Sequence, residues 1–260
     1  MNRRWKWIVG AVAAVIVVVV AGSFIYAKFI NKADPEFDQS TVDERLNAAT
    51  TTVTGSSTVA SDPSSVPLQS TAATTQSTSS AAAAAATGVD GTWAIKAGSE
   101  VGYRVKESIN GFDTTANGRT QSVTGTMVAV GASITEGQFT VDMTTFTSDE
   151  SKRDAQFKGR VMDVAKYPTS TFVLTAPIEF GAVPDEGGTV TSSATGDLTL
   201  HGTTKSVTFD VQGTFKNSLI GILGQIPVVF ADYGIPSPSF GTVSTEDNGL
   251  LEFVLVLERK

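Results

Sequence analysis

Val207-Thr208-Phe209-Asp210-Val211-Gln212 alternates apolar and polar side chains with a period of two, which on a β-strand places one face in a core and the other in water. The same alternation appears in Val101-Gly102-Tyr103-Arg104-Val105-Lys106 and in Phe139-Thr140-Val141-Asp142-Met143-Thr144. Further strands are predicted over 123–132, 170–180, 189–200 and 250–258. Turn chemistry separates them at Asn110-Gly111, Asp185-Glu186-Gly187-Gly188 and Asp247-Asn248-Gly249. Seven or eight antiparallel strands between residue 89 and residue 260 imply a sandwich or a barrel. One helical interruption is expected over 148–158, with Ser148 or Thr147 as its cap and Thr147 and Glu150 at capping-box spacing.

Upstream of this domain the chain changes character. Trp7 to Ala27 carries no charge and is rich in Val, Ile and Ala; as a helix it would extend about 31 Å, the thickness of a hydrocarbon core. Arg3, Arg4 and Lys6 precede it, while Lys28 and Lys32 are diluted by Asp34, Glu36 and Asp38. The positive-inside rule then leaves residues 1–6 in the cytoplasm and the remainder outside the cell membrane, tethered by a single-pass anchor at 7–27. A cleaved signal peptide ending near Ala21, Gly22 and Ser23 is the rival reading, and would make the domain a secreted one. Residues 28–88 form a juxtamembrane segment and a linker. From 47 to 88 the chain is mostly Ser, Thr and Ala, with Asp62 as its one charge, too little apolar surface to fold. As a coil, that linker would span about 35 Å.

Composition removes several functions. There is no cysteine in 260 residues, hence no disulfide, thiolate nucleophile or lipoprotein anchor. Lys and Arg total 19 against 26 Asp and Glu; six of each kind lie before residue 88, so the excess negative charge belongs to residues 89–260 and nucleic acid is not expected as a partner. The single histidine, His201, has no second imidazole to share a metal with and reads as a hydrogen-bonded turn residue. Asp149 with Asp154, or Asp163 with Glu179, are the carboxylates a hydrolase would need, although capping and ion pairing to Lys152 or Arg153 account for the first pair more simply. Leu219 to Phe230 is apolar but broken by Gly221, Gly224 and Pro227. It reads as two bent barrel strands joined by a buried turn, or else as a mobile lip.

Three stretches combine into a pattern that composition does not explain. They are Ser148-Asp-Glu-Ser-Lys-Arg153-Asp154 with Tyr167-Pro168-Thr-Ser-Thr-Phe172, then Gly196-Asp-Leu-Thr-Leu-His201-Gly202-Thr-Thr-Lys205, and Tyr233-Gly234-Ile235 before the last strand. Together they resemble the YceI-like family of polyisoprenoid-binding proteins over most of residues 91–258. The departure is Lys106-Glu107-Ser108, where family members often carry a histidine. The resemblance implies an all-β, eight-stranded antiparallel lipocalin-like barrel that holds an isoprenoid lipid, a polyprenyl quinone or polyprenol, and performs no chemistry on it. No other cofactor is implied, and a protein partner or a homodimer is compatible with it. Eleven of the 14 phenylalanines lie after residue 88, with Met127, Met143 and Met162, so an apolar lining is available. The expected ligand-binding residues are Tyr103, Val105, Met127, Phe139, Val141, Met143, Phe172, Leu174, Phe209, Val211 and Phe253. The same residues would equally build a filled core, in which case the barrel is a scaffold for a protein partner.

Overall fold

The computed structural model describes residues 17–22, 33–51 and 88–260. The membrane span expected at 7–27 lies outside these residues apart from the helical stretch 17–22, and most of the linker, 52–87, lies outside them altogether. Among the described residues no helix is long and apolar enough to cross a membrane.

Twelve strands follow: β1 Gly91–Ile95, β2 Glu100–Ile109, β3 Phe112–Thr120, β4 Val123–Val130, β5 Ser133–Asp142, β6 Thr169–Leu174, β7 Ile178–Glu179, β8 Thr189–Leu200, β9 Thr203–Lys216, β10 Leu219–Val229, β11 Val243–Thr245 and β12 Asn248–Arg259. They reduce to eight positions around a closed antiparallel barrel. β1 and β2 pair with successive halves of β12, through Ile95↔Leu257 and Glu100↔Val254, and so occupy one position. β3 and β4 pair with β2 and β1 in turn and occupy the next. The ring then runs through β5, β6, β8, β9 and β10 back to β12. Between β1 and β2 the buried Ser99 hydroxyl accepts from the Val256 amide at 2.8 Å, so the break in the ladder leaves that donor satisfied.

Closure gives the barrel two distinct ends. The turns Asn110-Gly111 and His201-Gly202, with positive φ at both residues of each, lie at one end with the segments 143–168 and 230–247. The turns at Gly131-Ala132 and Asn217-Ser218 lie at the other.

Several sequence readings are corrected. Leu219–Val229 is one continuous strand, paired along its length with β12 and over its first half with β9, rather than two strands around a turn or a lip. Pro227 is tolerated because β9 no longer flanks it there. The helix is shorter than expected, α2 Ser151–Gln156, and continues as a π-helical stretch Phe157–Val161. Its cap is Glu150, whose side chain accepts from the Lys152 amide at 3.1 Å; Ser148 is instead held by Asp154, which accepts from its amide and its hydroxyl.

Residues 33–51, assigned by sequence to the juxtamembrane segment and the start of the linker, pack on the outside of the barrel. Helix α1, Gln39–Thr51, opens with Asp38 accepting from the Thr41 amide at 3.0 Å. Val42, Leu46 and Ala49, at i, i+4 and i+7, bury against the outward side chains of Leu219, Leu223, Val254 and Val256. Gly221 makes the close approach possible, since a Cβ there would lie 2.5 Å from Val42. Burying Val42 and Leu46 stabilises this seam by about 1.5–3 kcal/mol each.

Candidate functional site

The inward side chains of the strands do not fill the barrel. Two cavities adjoin along its axis, a deeper one of about 110 Å³ and a larger one of about 300 Å³ that opens at the 110/201 end. Met143, Phe146, Leu200 and Leu251 line both and form the neck between them. The side chains read from sequence as inward all border these cavities, although β5 ends at Asp142 and Met143 lies in the 3-10 turn that follows it. Met127, Phe139, Val141, Phe172, Leu174, Phe209, Val211 and Phe253 line the deeper cavity; Tyr103 and Val105 line the larger one; Met143 borders both.

In the deeper cavity the aromatic rings meet edge to face. Phe172 and Phe209 have centroids 5.5 Å apart, and Phe209 and Phe253 5.9 Å. Glycines on the neighbouring strands give two of these rings their space: a Cβ at Gly196 would fall 2.3 Å from Phe172, and one at Gly224 2.4 Å from Phe253.

The larger cavity changes from apolar at the neck to polar at the rim. Tyr103 stacks on Phe157, with centroids 4.7 Å apart, and leans on Phe146 at 5.9 Å. Burial pushes the Tyr103 phenol well above its ordinary ionisation range, so it stays neutral. Beside it Arg153 pairs with Glu107 at 3.3 Å and with Asp149. Burial works against the guanidinium charge, but the attraction of Glu107 and Asp149 outweighs it and raises the Arg153 pKa. Glu107 belongs to the Lys106-Glu107-Ser108 stretch where the sequence departs from the family. Glu150, Lys152, Gln156 and Thr245 complete the polar part of the rim.

In the larger cavity sequence reasoning missed Phe146, Phe157, Val161, Leu200, Phe230 and Ile235 in the lining, and Glu107 and Arg153 at the rim, while Met162, one of the three methionines it offered for the lining, does border it. Of the missed apolar residues here all but Leu200 lie in segments that cap the barrel end, where no period-two signal marks them, whereas Ile134, Leu198, Ile222 and Ile226 of the deeper cavity, also missed, lie in strands. The short helix at 151–156 was legible, but its location over the cavity was not.

The motif residues meet at the same end. Tyr167 packs edge-on against His201, with ring centroids 4.6 Å apart, and Gly202 lies so close beneath Tyr167 that a Cβ would sit 2.4 Å from its ring. His201 Nδ1 donates to the Tyr233 carbonyl at 3.3 Å, the turn role expected of it. The carboxylates considered for hydrolysis do not converge. Asp154 is spent on Ser148 and Asp149 on Arg153, while Asp163 follows the π-helical stretch at the open end and Glu179 pairs with Ser133 at the closed end. Among the described residues no three His, Asp or Glu side chains cluster in a way that could hold a metal ion.

Comparison with known proteins agrees with this geometry. The chain is 32% identical over 103 residues to a UPF0312 protein of Vibrio campbellii, a match covering 37% of this chain and 51% of that relative. It is 34% identical over 98 residues to a UPF0312 protein of Pseudomonas savastanoi, covering 35% and 47%. The chain thus spans about half the length of the curated relatives it matches. Among solved structures, a polyisoprenoid binding domain from Saccharophagus degradans superposes with a TM-score of 0.53 at 16% identity, covering 65% of this chain and 98% of that one, a likeness of fold. The YceI-like domain matches residues 93–257, which is the whole barrel from β1 to β12, and by that match the chain belongs to the YceI-like family.

Proposed function

We propose that the protein is a membrane-tethered, extracytoplasmic binding protein that holds a polyisoprenoid, a polyprenyl quinone or polyprenol, inside its barrel as a carrier or buffer and without catalysis. The observation that carries this reading is the pair of contiguous cavities with an almost wholly apolar lining and a polar rim at one end only. Such a shape suits a long apolar tail with a polar head group. The larger cavity lies at the lower edge of the range for small-molecule sites, about 300–1,000 Å³. Met127, Met143 and Met162 supply thioethers that re-pack as a tail threads the neck. Each methylene buried there contributes about 0.8 kcal/mol before ordering costs, so affinity rises with chain length. The YceI-like family match and the superposition on a polyisoprenoid binding domain support the ligand class. The tether and its orientation rest on the apolar run Trp7 to Ala27 and the basic residues before it.

The test is native mass spectrometry of the full chain, purified from a lipid-containing host in mild detergent, followed by organic extraction. A discrete added mass that extracts as an isoprenoid is the expected result. A chain that is empty as purified and stays empty when offered long-chain isoprenoids removes the carrier function and leaves a scaffold.

A further inference from the structure

The packing of residues 33–51 fixes where the chain leaves the barrel. Asp34 hydrogen-bonds through its carboxylate to Asn117 at 3.0 Å, and its carbonyl accepts from Arg104 at 2.7 Å. Phe37 donates its amide to Glu252, one step further along the barrel, and Val42 and Leu46 reach Gly221, level with Val256. The segment therefore runs from the half of the barrel that holds the open cavity toward the closed end. At the closed end Asn217 donates to Asn47 at 3.5 Å, and Arg259 holds the Gly88 carbonyl. The Ser/Thr/Ala run between 52 and 87 thus leaves and rejoins the barrel at the closed end. It is not the connection to the N-terminal apolar segment.

That connection is residues 28–32. From Ala27 to Asp34, the residue that Arg104 holds, the chain reaches at most about 25 Å. Along the barrel, Arg104 lies opposite Leu250. From there β2 runs five residues to the tip at Ile109, about 17 Å, whereas β12 runs nine residues to Arg259, about 30 Å. Strand tilt shortens both heights in proportion, to roughly 13 and 23 Å. A membrane surface at the open end is well within the tether's reach, whereas one at the closed end would need the tether fully extended.

The open end also carries the right surface. Phe240, 64% exposed, and Val229, 48% exposed, are the two large apolar side chains that protrude there among the described residues. Phe240 lines the open cavity as well. Its loop is held in place by Arg160, which donates to the carbonyls of Ser237 and Pro238 at 2.8 Å each. Basic side chains at this end (Lys106, Lys152, Arg160, Lys166) are interleaved with acidic ones (Asp149, Glu150, Glu246, Asp247), so no single-sign field would demand an anionic membrane.

We infer that the strap formed by residues 33–51 holds the cavity mouth, with the Phe240 loop foremost, against the lipid surface from which the N-terminal segment emerges. Cargo then passes between bilayer and cavity without crossing water. The inference rests on the membrane-tether reading above and adds an orientation to it.

The absence of native cysteine makes the test direct. The full chain is reconstituted into phosphatidylcholine vesicles as T242C or V183C, each labelled with an environment-sensitive fluorophore, and quenched by nitroxide-bearing lipids. Thr242 is exposed beside Phe240 at the open end; Val183, 44% exposed, is at the closed end. The expected result is quenching several-fold stronger at position 242. Equal quenching, or stronger quenching at 183, in vesicles that carry the protein on flotation overturns the orientation and leaves the tether standing. Failure to float removes the tether, and with it this arrangement. In a second variant, V42D with L46D, the strap is released while the barrel interior is untouched. The ratio between the two positions should then fall toward one, and a ratio that survives release overturns the role assigned to the strap.

Discussion

Strands β10 and β12 bury both of their faces, and the two faces are built differently. Inward, Ile222, Ile226, Leu251, Phe253 and Leu255 border empty space. Outward, Leu219, Leu223, Val254 and Val256 are buried together with Val42, Leu46 and Ala49 of α1. Beside that seam lies a buried charge: Glu252 is fully buried and pairs with Arg119 at 3.1 Å and Arg104 at 3.3 Å. The Phe37 ring covers Arg119, 4.1 Å from its guanidinium carbon. The outer seam is therefore where the sheet is stabilised, and the inner face is where stability is given up for room. A core packed like the outer seam would leave no site, and a seam as loose as the interior would not hold a strap.

The comparison is broken most strongly at Glu252. Glu252→Ala leaves Arg104 and Arg119 short of their buried partner and should cost about 3–5 kcal/mol, read as a lower urea midpoint. Because the carboxylate faces away from the cavity, lipid content per folded molecule should stay unchanged on extraction. Leu46→Ala removes the fully buried centre of the strap and should cost about 2–5 kcal/mol, since the rigid sheet beneath cannot collapse into the void. Amide exchange should rise over 39–51 while the strands stay protected. Met143→Trp inverts the outcome. It overfills the neck at a cost of about 1–3 kcal/mol and should abolish the extracted lipid while thermal unfolding remains cooperative.

The smallest effect is expected at the Tyr103 hydroxyl. The folded phenol ionises above its ordinary value of 10.0, so the neutral form is favoured by folding. Its contribution to stability is fully present below that value and is lost as pH rises above it. Tyr103→Phe should keep the stacking on Phe157 and flatten the alkaline limb of the stability profile, measured by urea unfolding at stepped pH.

The sequence showed the inner face more clearly than the outer. All eleven expected lining residues border the cavities because a strand with one wet and one apolar side writes its register at every second position. β3 escaped notice for a physical reason. Its inward side chains include Ala116, Gly118 and Thr120, small because they lie opposite Val105, Tyr103 and Val101, and a Cβ at Gly118 would fall 2.6 Å from the Tyr103 ring. A strand that makes room does not look hydrophobic. β10 was misread for the opposite reason, since a strand buried on both faces has no alternation to show. Helix α1 buries Val42, Leu46 and Ala49 in thirteen residues, too few to separate it from the Ser/Thr/Ala run into which it leads.

The bond from Phe37 to Glu252 joins residues 215 positions apart. Because synthesis proceeds from the N-terminus, the residues of α1 exist long before the strand they cover. Val42 and Leu46 must wait, with their apolar stripe unmatched, until β12 has emerged and closed the barrel. The strap is thus a late event in folding, slow by the loop it must close and blind to any chain that stops short of Val254. It marks a completed molecule, because a truncated one would leave this helix undocked and open to proteolysis.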